Sequence, residues 1–149
     1  MGDEKIWKKV LEPSEQVQFA FSIGKGYRIF GIVIWFVVSL PFFWLAGVGF
    51  LMFFLALFYY GFYLRVSNSY AFTNKRIIVH TGWLSTNMKS VDYAKITDIH
   101  VREPFFERIV AHTGSLAINT AGSGSMEIVL RHVEAPYELK KRLDSIRGQ

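Results

Sequence analysis

The stretch from Ile29 to Leu64, IFGIVIWFVVSLPFFWLAGVGFLMFFLALFYYGFYL, holds no Asp, Glu, Lys, Arg or His, and Arg28 and Arg65 bracket it. A helix that crosses a bilayer needs roughly 20 apolar residues, and this run has about 36. One straight helix of that length would reach roughly 54 Å at about 1.5 Å per residue, far beyond a hydrocarbon core of about 30 Å. The run therefore predicts two helices in a tight hairpin, and an integral membrane protein. Two breakers compete for the turn, Pro41 and the Gly47-Val48-Gly49 group. A turn at Pro41 leaves the first helix too short to cross. A turn at Ala46-Gly47 gives helices over about 27–45 and 48–65, each near the lower half of the spanning range. Pro41 then falls in the last turns of the first helix, where it removes a backbone donor and bends the helix. Gly31, Ala56 and Gly61 are expected where the two backbones approach each other.

Charge orients the hairpin. Both flanks carry arginine and the tip carries no charge, so the positive-inside rule predicts a multi-pass protein of the cell (inner) membrane with both termini cytoplasmic. The net charge is +5, most of it contributed after the run. Aromatic belts are then expected to hold Tyr27, Tyr59, Tyr60 and Tyr63, beside Arg28 and Arg65, at the inner interface and Trp44 at the outer one. The N-terminus does not read as a secretory leader, because the apolar run is too long and no small-residue cleavage site follows a short apolar core. The absence of cysteine excludes disulfides and thiolate chemistry.

The hairpin divides the chain into an N-terminal segment (1–26), the hairpin itself (27–65) and a β-rich domain (66–149). From Asp3 to Glu12, Ile6 with Val10 and Trp7 with Leu11 fall at i, i+4, and Pro13 ends the pattern. This helix is either an amphipathic foot with Trp7 in the lipid headgroups or a helix packed on the soluble domain. In Gln16 to Ile23 the residues Val17, Phe19, Phe21 and Ile23 alternate with smaller or polar ones, which predicts a half-buried strand. Such a strand is not stable alone and must join a sheet, and the candidate sheet lies beyond residue 65.

After the run, short strands are expected over 66–72, 76–81, 88–93, 96–101, 115–120 and 126–131. Thr73-Asn74-Lys75 makes a tight turn. Gly82 interrupts the second strand, with Trp83-Leu84 resuming it. A short helical piece follows Pro104 over Phe105 to Val110, and Gly122-Ser123-Gly124 turns the chain before the last strand. Ala135 to Arg147 reads as an amphipathic helix, with Pro136 in its first turn and Leu139, Leu143 and Ile146 on one face. The fold expected is an α+β membrane protein: a two-helix transmembrane hairpin plus a small antiparallel β-barrel or sandwich capped by a C-terminal helix.

Three runs carry a resemblance. They are Tyr70-Ala71-Phe72-Thr73-Asn74-Lys75-Arg76-Ile77-Ile78, then Gly82-Trp83-Leu84, then Val91-Asp92-Tyr93-Ala94-Lys95-Ile96-Thr97-Asp98-Ile99. Arg108, Gly114-Ser115-Leu116 and Thr120-Ala121-Gly122 continue the pattern. In order and spacing the chain resembles the YdbS-like family of membrane-anchored bacterial PH-like domains, over roughly residues 60 to 147. The resemblance implies a PH-like barrel capped by a C-terminal helix and facing the cytoplasm. It brings no catalytic residues and no agreed ligand.

Reactive constellations are missing from the pattern. His80, His100, His112 and His132 have no i, i+4 pairing and no cysteine nearby, so surface or rim positions are expected rather than a metal site. Gly122 to Ser125 lacks the Lys-Ser/Thr of a phosphate loop and precedes a strand. Asp92 and Asp98 lie six apart across a strand break, and no nucleophile elbow occurs. The chain is therefore expected to be no enzyme and to use no cofactor. Its basic residues are the candidate contacts for lipid or a partner: Lys75 and Arg76 at the first hairpin of the barrel, and Lys140, Lys141 and Arg142 on the last helix. Nucleic acid is not expected, since no basic stripe carries interleaved stacking aromatics, and no small-molecule substrate is evident. The expected partners are the bilayer together with another protein or a second copy of the chain. The expected role is a membrane-anchored binding or scaffolding module, with anionic headgroup recognition as the alternative.

Overall fold

The period-two alternation before the apolar run forms strand β1, Val17–Ser22. In this computed structural model, which describes residues 7, 10–45, 47–121 and 128–148, β1 leads straight into helix α1, Lys25–Ser39. The helix narrows into a 3-10 turn over Leu40–Phe42 that contains Pro41. Gly47 reverses the chain at a φ of 80°, a left-handed conformation that costs glycine nothing. Helix α2 returns over Val48–Ser67, and strand β2, Asn68–Thr73, starts at the next residue. β1 and β2 are antiparallel neighbours, with Phe21 opposite Tyr70 and Ser22 opposite Ser69. The helical hairpin therefore fills the connection between two adjacent strands, leaving and re-entering one sheet.

Strands β3 (Arg76–Thr81) and β4 (Asn87–Asp92) complete that sheet in the order β1-β2-β3-β4. A second antiparallel sheet has the order β5-β6-β7, from Ile96–Arg102, Thr113–Thr120 and Ile128–Glu134. A short helical turn, Glu107–Ala111, joins β5 to β6. Helix α3, Pro136–Arg147, follows β7. Alternate residues of both sheets point inward and form one core: Tyr70, Phe72, Ile77 and Val79 face Ile99, Leu116, Ile118 and Leu130, and Leu139 and Leu143 of α3 pack into the same cluster. The outer face of β2 and β3 is also covered, where Ala71 and Ile78 meet Trp7, Val10, Leu11 and Val17.

The stem has a different character. Taken with its 3-10 turn, α1 (Lys25–Phe42) is long and apolar enough to cross a membrane, by length and composition, as is α2, and only 11% and 17% of their most apolar stretches are buried. A core helix would bury one face, whereas these are exposed along most of their length and bury residues at their mutual seam and at the base, where they meet the head. Ala56 is buried, and a Cβ on Gly31 would run into the Tyr60 ring. Edge-to-face pairs Phe36–Phe53 and Phe43–Phe50 fill the seam. Within α2 the backbone widens into a π segment over Leu57–Tyr63.

Several expectations need correction. Trp7 is not free for headgroups: it is 4% exposed and packed against the sheet. Gly61 has nothing within 4 Å of an added Cβ, so it is not a close-approach residue. Trp83 and Leu84 do not resume β3; Gly82, at φ 101°, sends them into a loop. Val66 belongs to α2 rather than to the first strand. His80, expected at a surface or rim, is buried in β3. Most of the Asp3 to Glu12 helix, Ala46 of the hairpin turn, the Gly122 to Gly124 turn and Met126 lie outside the described residues.

Candidate functional site

The links between stem and head are two residues on one side and none on the other, so the junction is built tightly. The Gly24 N–H donates to the His132 carbonyl at 2.7 Å, and a Cβ there would lie 2.6 Å from Thr113 Cγ2. The Lys25 N–H, the first of α1, donates to Glu134 Oε1 at 2.6 Å. Across the strands, the Ser22 hydroxyl donates to the Asn68 carbonyl at 2.5 Å. Arg28 ties the helices together, its Nη1 donating to the Gly61 carbonyl at 3.3 Å. The Tyr27 ring stacks on His132 with centroids 3.7 Å apart, and His132 Nδ1 lies 3.1 Å from Glu107 Oε2. Beside these contacts opens a cleft of about 470 Å³, lined by Ser22, Lys25, Arg28, Arg65, Glu134 and Leu139. Three cations and one carboxylate thus share a cavity where the apolar stem meets the polar head.

Lys75 and Arg76 sit elsewhere. β2 runs away from the stem, so the β2–β3 turn lies roughly 17 Å along the strand from it. Both cations already have carboxylate partners within the chain. Lys75 Nζ is 3.0 Å from Glu12 Oε2 and 2.8 Å from Ser14 Oγ. Arg76 donates to both oxygens of the buried Glu15 carboxylate, at 2.9 and 2.7 Å. The Thr73 hydroxyl donates to the same carboxylate at 2.7 Å. The Arg76 guanidinium, foremost, holds the Glu15 carboxyl down to about 2, against an opposing push from burial. The Tyr93 hydroxyl donates to the Thr73 carbonyl at 2.6 Å, and burial pushes its pKa up to about 12. This cluster pins the N-terminal segment to the turn.

The basic triplet of α3 does not converge. Lys141 pairs with Glu138 at 3.0 Å, Arg142 lies over the Phe19 ring at 4.6 Å, and Lys140 is half-buried on another side of the helix. Among the aromatics expected in the belts, Trp44 is 95% exposed near the hairpin tip, Tyr60 packs on Gly31, and Tyr63 stacks on Tyr59. Among the described residues, no group of three or more His, Asp or Glu could hold a metal ion.

The profile described as "Bacterial PH domain" matches residues 20–147, from β1 through the stem to the end of α3. The chain belongs to the bacterial PH domain family. Two solved structures are similar to this PH domain. One is a DUF1696 family protein with a pleckstrin-homology domain from Shewanella loihica PV-4, at 14% identity and a TM-score of 0.55, covering 99% of this chain and 97% of that one. The other is a pleckstrin homology domain from Shewanella amazonensis SB2B, at 12% identity and a TM-score of 0.54, covering 97% and 95%. At such identities the likeness is one of fold. No curated protein matches the chain.

Within this PH domain, sequence reasoning missed Glu15 and the grouping of Lys25 with Arg28 and Arg65. Glu15 sits in a polar stretch with no periodicity, and its partner Arg76 is 61 residues away. The flanking arginines were visible in the sequence, but only the pairing of β1 with β2 brings them together.

Proposed function

We propose that this chain is a membrane-anchored, PH-like binding module. The two stem helices cross the inner membrane, and the PH-like head is held at the cytoplasmic face for contact with a protein partner or a second copy. One observation carries the reading: an exposed apolar hairpin leaves from and returns to adjacent strands of a single sheet. A hairpin that crosses twice must return its chain to the side it left, and by the positive-inside rule the clustered Lys25, Arg28 and Arg65 support that side as the cytoplasmic one. The resemblance of the sequence to the membrane-anchored YdbS-like family, which implies a PH-like barrel facing the cytoplasm, supports the same reading. The head offers a free strand. β4 pairs only with β3 among the described residues and is exposed along most of its length. Such an edge is a template for strand addition, and Lys89 in its middle limits indiscriminate pairing.

A photo-crosslinking residue placed at Ser90 on β4, in native membranes, tests the binding role. The reading expects one discrete adduct, either a dimer or a complex with a defined protein. Recovery of the monomer alone would overturn it.

A second reading, recognition of an anionic lipid headgroup, is favoured by the cleft at the stem base, where Lys25, Arg28 and Arg65 gather. Glu134 in the same cleft offsets part of that charge. Charge reversal at Arg76 would break the Glu15 pair and confound the test, so Arg65→Gln is the cleaner variant. This reading expects reconstituted Arg65→Gln protein to lose its enrichment of anionic lipid over zwitterionic lipid. Unchanged enrichment would remove it.

A further inference from the structure

The topology sends every second connection of the head back toward the stem. β2 begins at the stem and β3 ends beside it, since Asn68 pairs with Thr81. The β3–β4 loop therefore lies at the stem end. Gly26 and Ala111 are in such close approach that a Cβ on Gly26 would collide with the Ala111 carbonyl. The helical turn between β5 and β6 is thus also at the stem end, against the first turn of α1.

These two connections carry apolar residues that the head leaves uncovered. In the β5–β6 connection, Phe105 is 70% and Phe106 71% exposed, and Ile109 and Val110 are exposed beside them. The core is filled without them. In the β3–β4 loop, Trp83 packs edge-on against Phe58 and Phe62 of α2, and Leu84 is 90% exposed. On α1, Ile29 and Val33 fall at i+3 and i+7 from Gly26 and so continue the face on which the β5–β6 turn rests. Both are exposed. The apolar surface of the stem is therefore continuous with an apolar underside of the head on both of its flanks. Arg108 projects from the same turn and is exposed, as suits a cation at the level of headgroups.

We propose that the head itself enters the cytoplasmic leaflet: the 105–110 turn and the Trp83-Leu84 loop insert beside the stem as two shallow apolar feet. The occupant of this surface is lipid. The inference rests on the membrane reading of the stem, and it deepens that reading by fixing the head against the bilayer instead of letting it swing from a tether.

The chain has no cysteine, so single-cysteine variants label cleanly. Phe106→Cys, Ile109→Cys and Leu84→Cys each replace an exposed side chain. Leu55→Cys reports the middle of the stem and Lys141→Cys the body of the head. The full chain, labelled with nitrobenzoxadiazole and reconstituted in phosphatidylethanolamine–phosphatidylglycerol vesicles, is read by quenching from lipids with nitroxides at shallow or deep positions. The expected result is at least twofold stronger shallow quenching at 84, 106 and 109 than at 141, with the label at 55 quenched best by the deep nitroxide. If 84, 106 and 109 behave like 141 while 55 is quenched, the stem is inserted and this proposal is wrong. If that result comes with concentration-dependent crosslinking at 106, a second copy covers the surface, and the proposal is equally overturned. If 55 is unquenched, the membrane reading falls and takes the proposal with it.

Discussion

Glu15 is the residue on which the N-terminal segment turns. Its side chain is fully buried, accepts two bonds from Arg76 and one from Thr73, and is held down to about 2 against an ordinary 4.5. A carboxyl depressed in the folded state contributes stability that is fully present above its unfolded pKa and is lost as the pH falls toward the folded one. The window is therefore about pH 4.5 down to 2, and the contribution is on the order of 3 kcal/mol. Glu15→Gln should lower the Tm in mild detergent at pH 7, with a loss of about 2–3 kcal/mol because Arg76 keeps some exposure to water. The gap between the variant and the natural chain should narrow as the pH approaches 2; a gap that stays constant would contradict this account of Glu15. Tyr93→Phe removes the bond to the buried Thr73 carbonyl and should cost about 1–2 kcal/mol. With its hydroxyl pKa pushed up to about 12, that loss should be the same from pH 6 to pH 9.

At the scale of elements, the stem is held by a narrow seam. Gly31 meets the Tyr60 ring, whereas Gly61 meets nothing, so two glycines in similar sequence settings should respond in opposite ways. Gly31→Leu should destabilise the hairpin by about 1–3 kcal/mol through overpacking, and Gly61→Leu should leave its Tm nearly unchanged. Equal losses at both positions would mean that the seam lies elsewhere. The elements that were legible in the sequence are those whose signals are local. The alternation of Val17, Phe19 and Phe21 needs only neighbouring residues to declare a strand, and Gly47 marks its own turn. Leu139, Leu143 and Ile146 likewise declare the buried face of α3. What could not be read depends on distant partners. Gly82 was visible as a breaker, but the packing of Trp83 on Phe58 and Phe62 requires the β3–β4 loop to lie at the stem. The burial of Trp7 requires an outer sheet face made by Ala71 and Ile78, and the sequence leaves foot and packed helix equally open. The Lys75-Arg76 pair looks free until Glu12 and Glu15 are brought to it from more than 60 residues away.

At the scale of the whole molecule, an inserted hairpin is a more demanding tether than a terminal anchor. It enters and leaves through adjacent strands, so the orientation of the head is set twice, at Gly24 and at Asn68. Any tilt of the stem must then be shared with the sheet, since the links are too short to absorb it. On the membrane reading proposed above, a head fixed in this way would turn the same surface, including the free edge of β4, toward every neighbour in the plane of the membrane. The central claim is that the stem crosses twice and leaves the head inside. It is tested most directly by labelling single-cysteine variants with a membrane-impermeant maleimide on sealed, right-side-out inner-membrane vesicles. The account predicts that Trp44→Cys, at the tip, reacts at once and that Lys141→Cys, on the head, reacts only after the vesicles are opened. Immediate reaction of Lys141→Cys, or recovery of the chain in the soluble fraction, would contradict it.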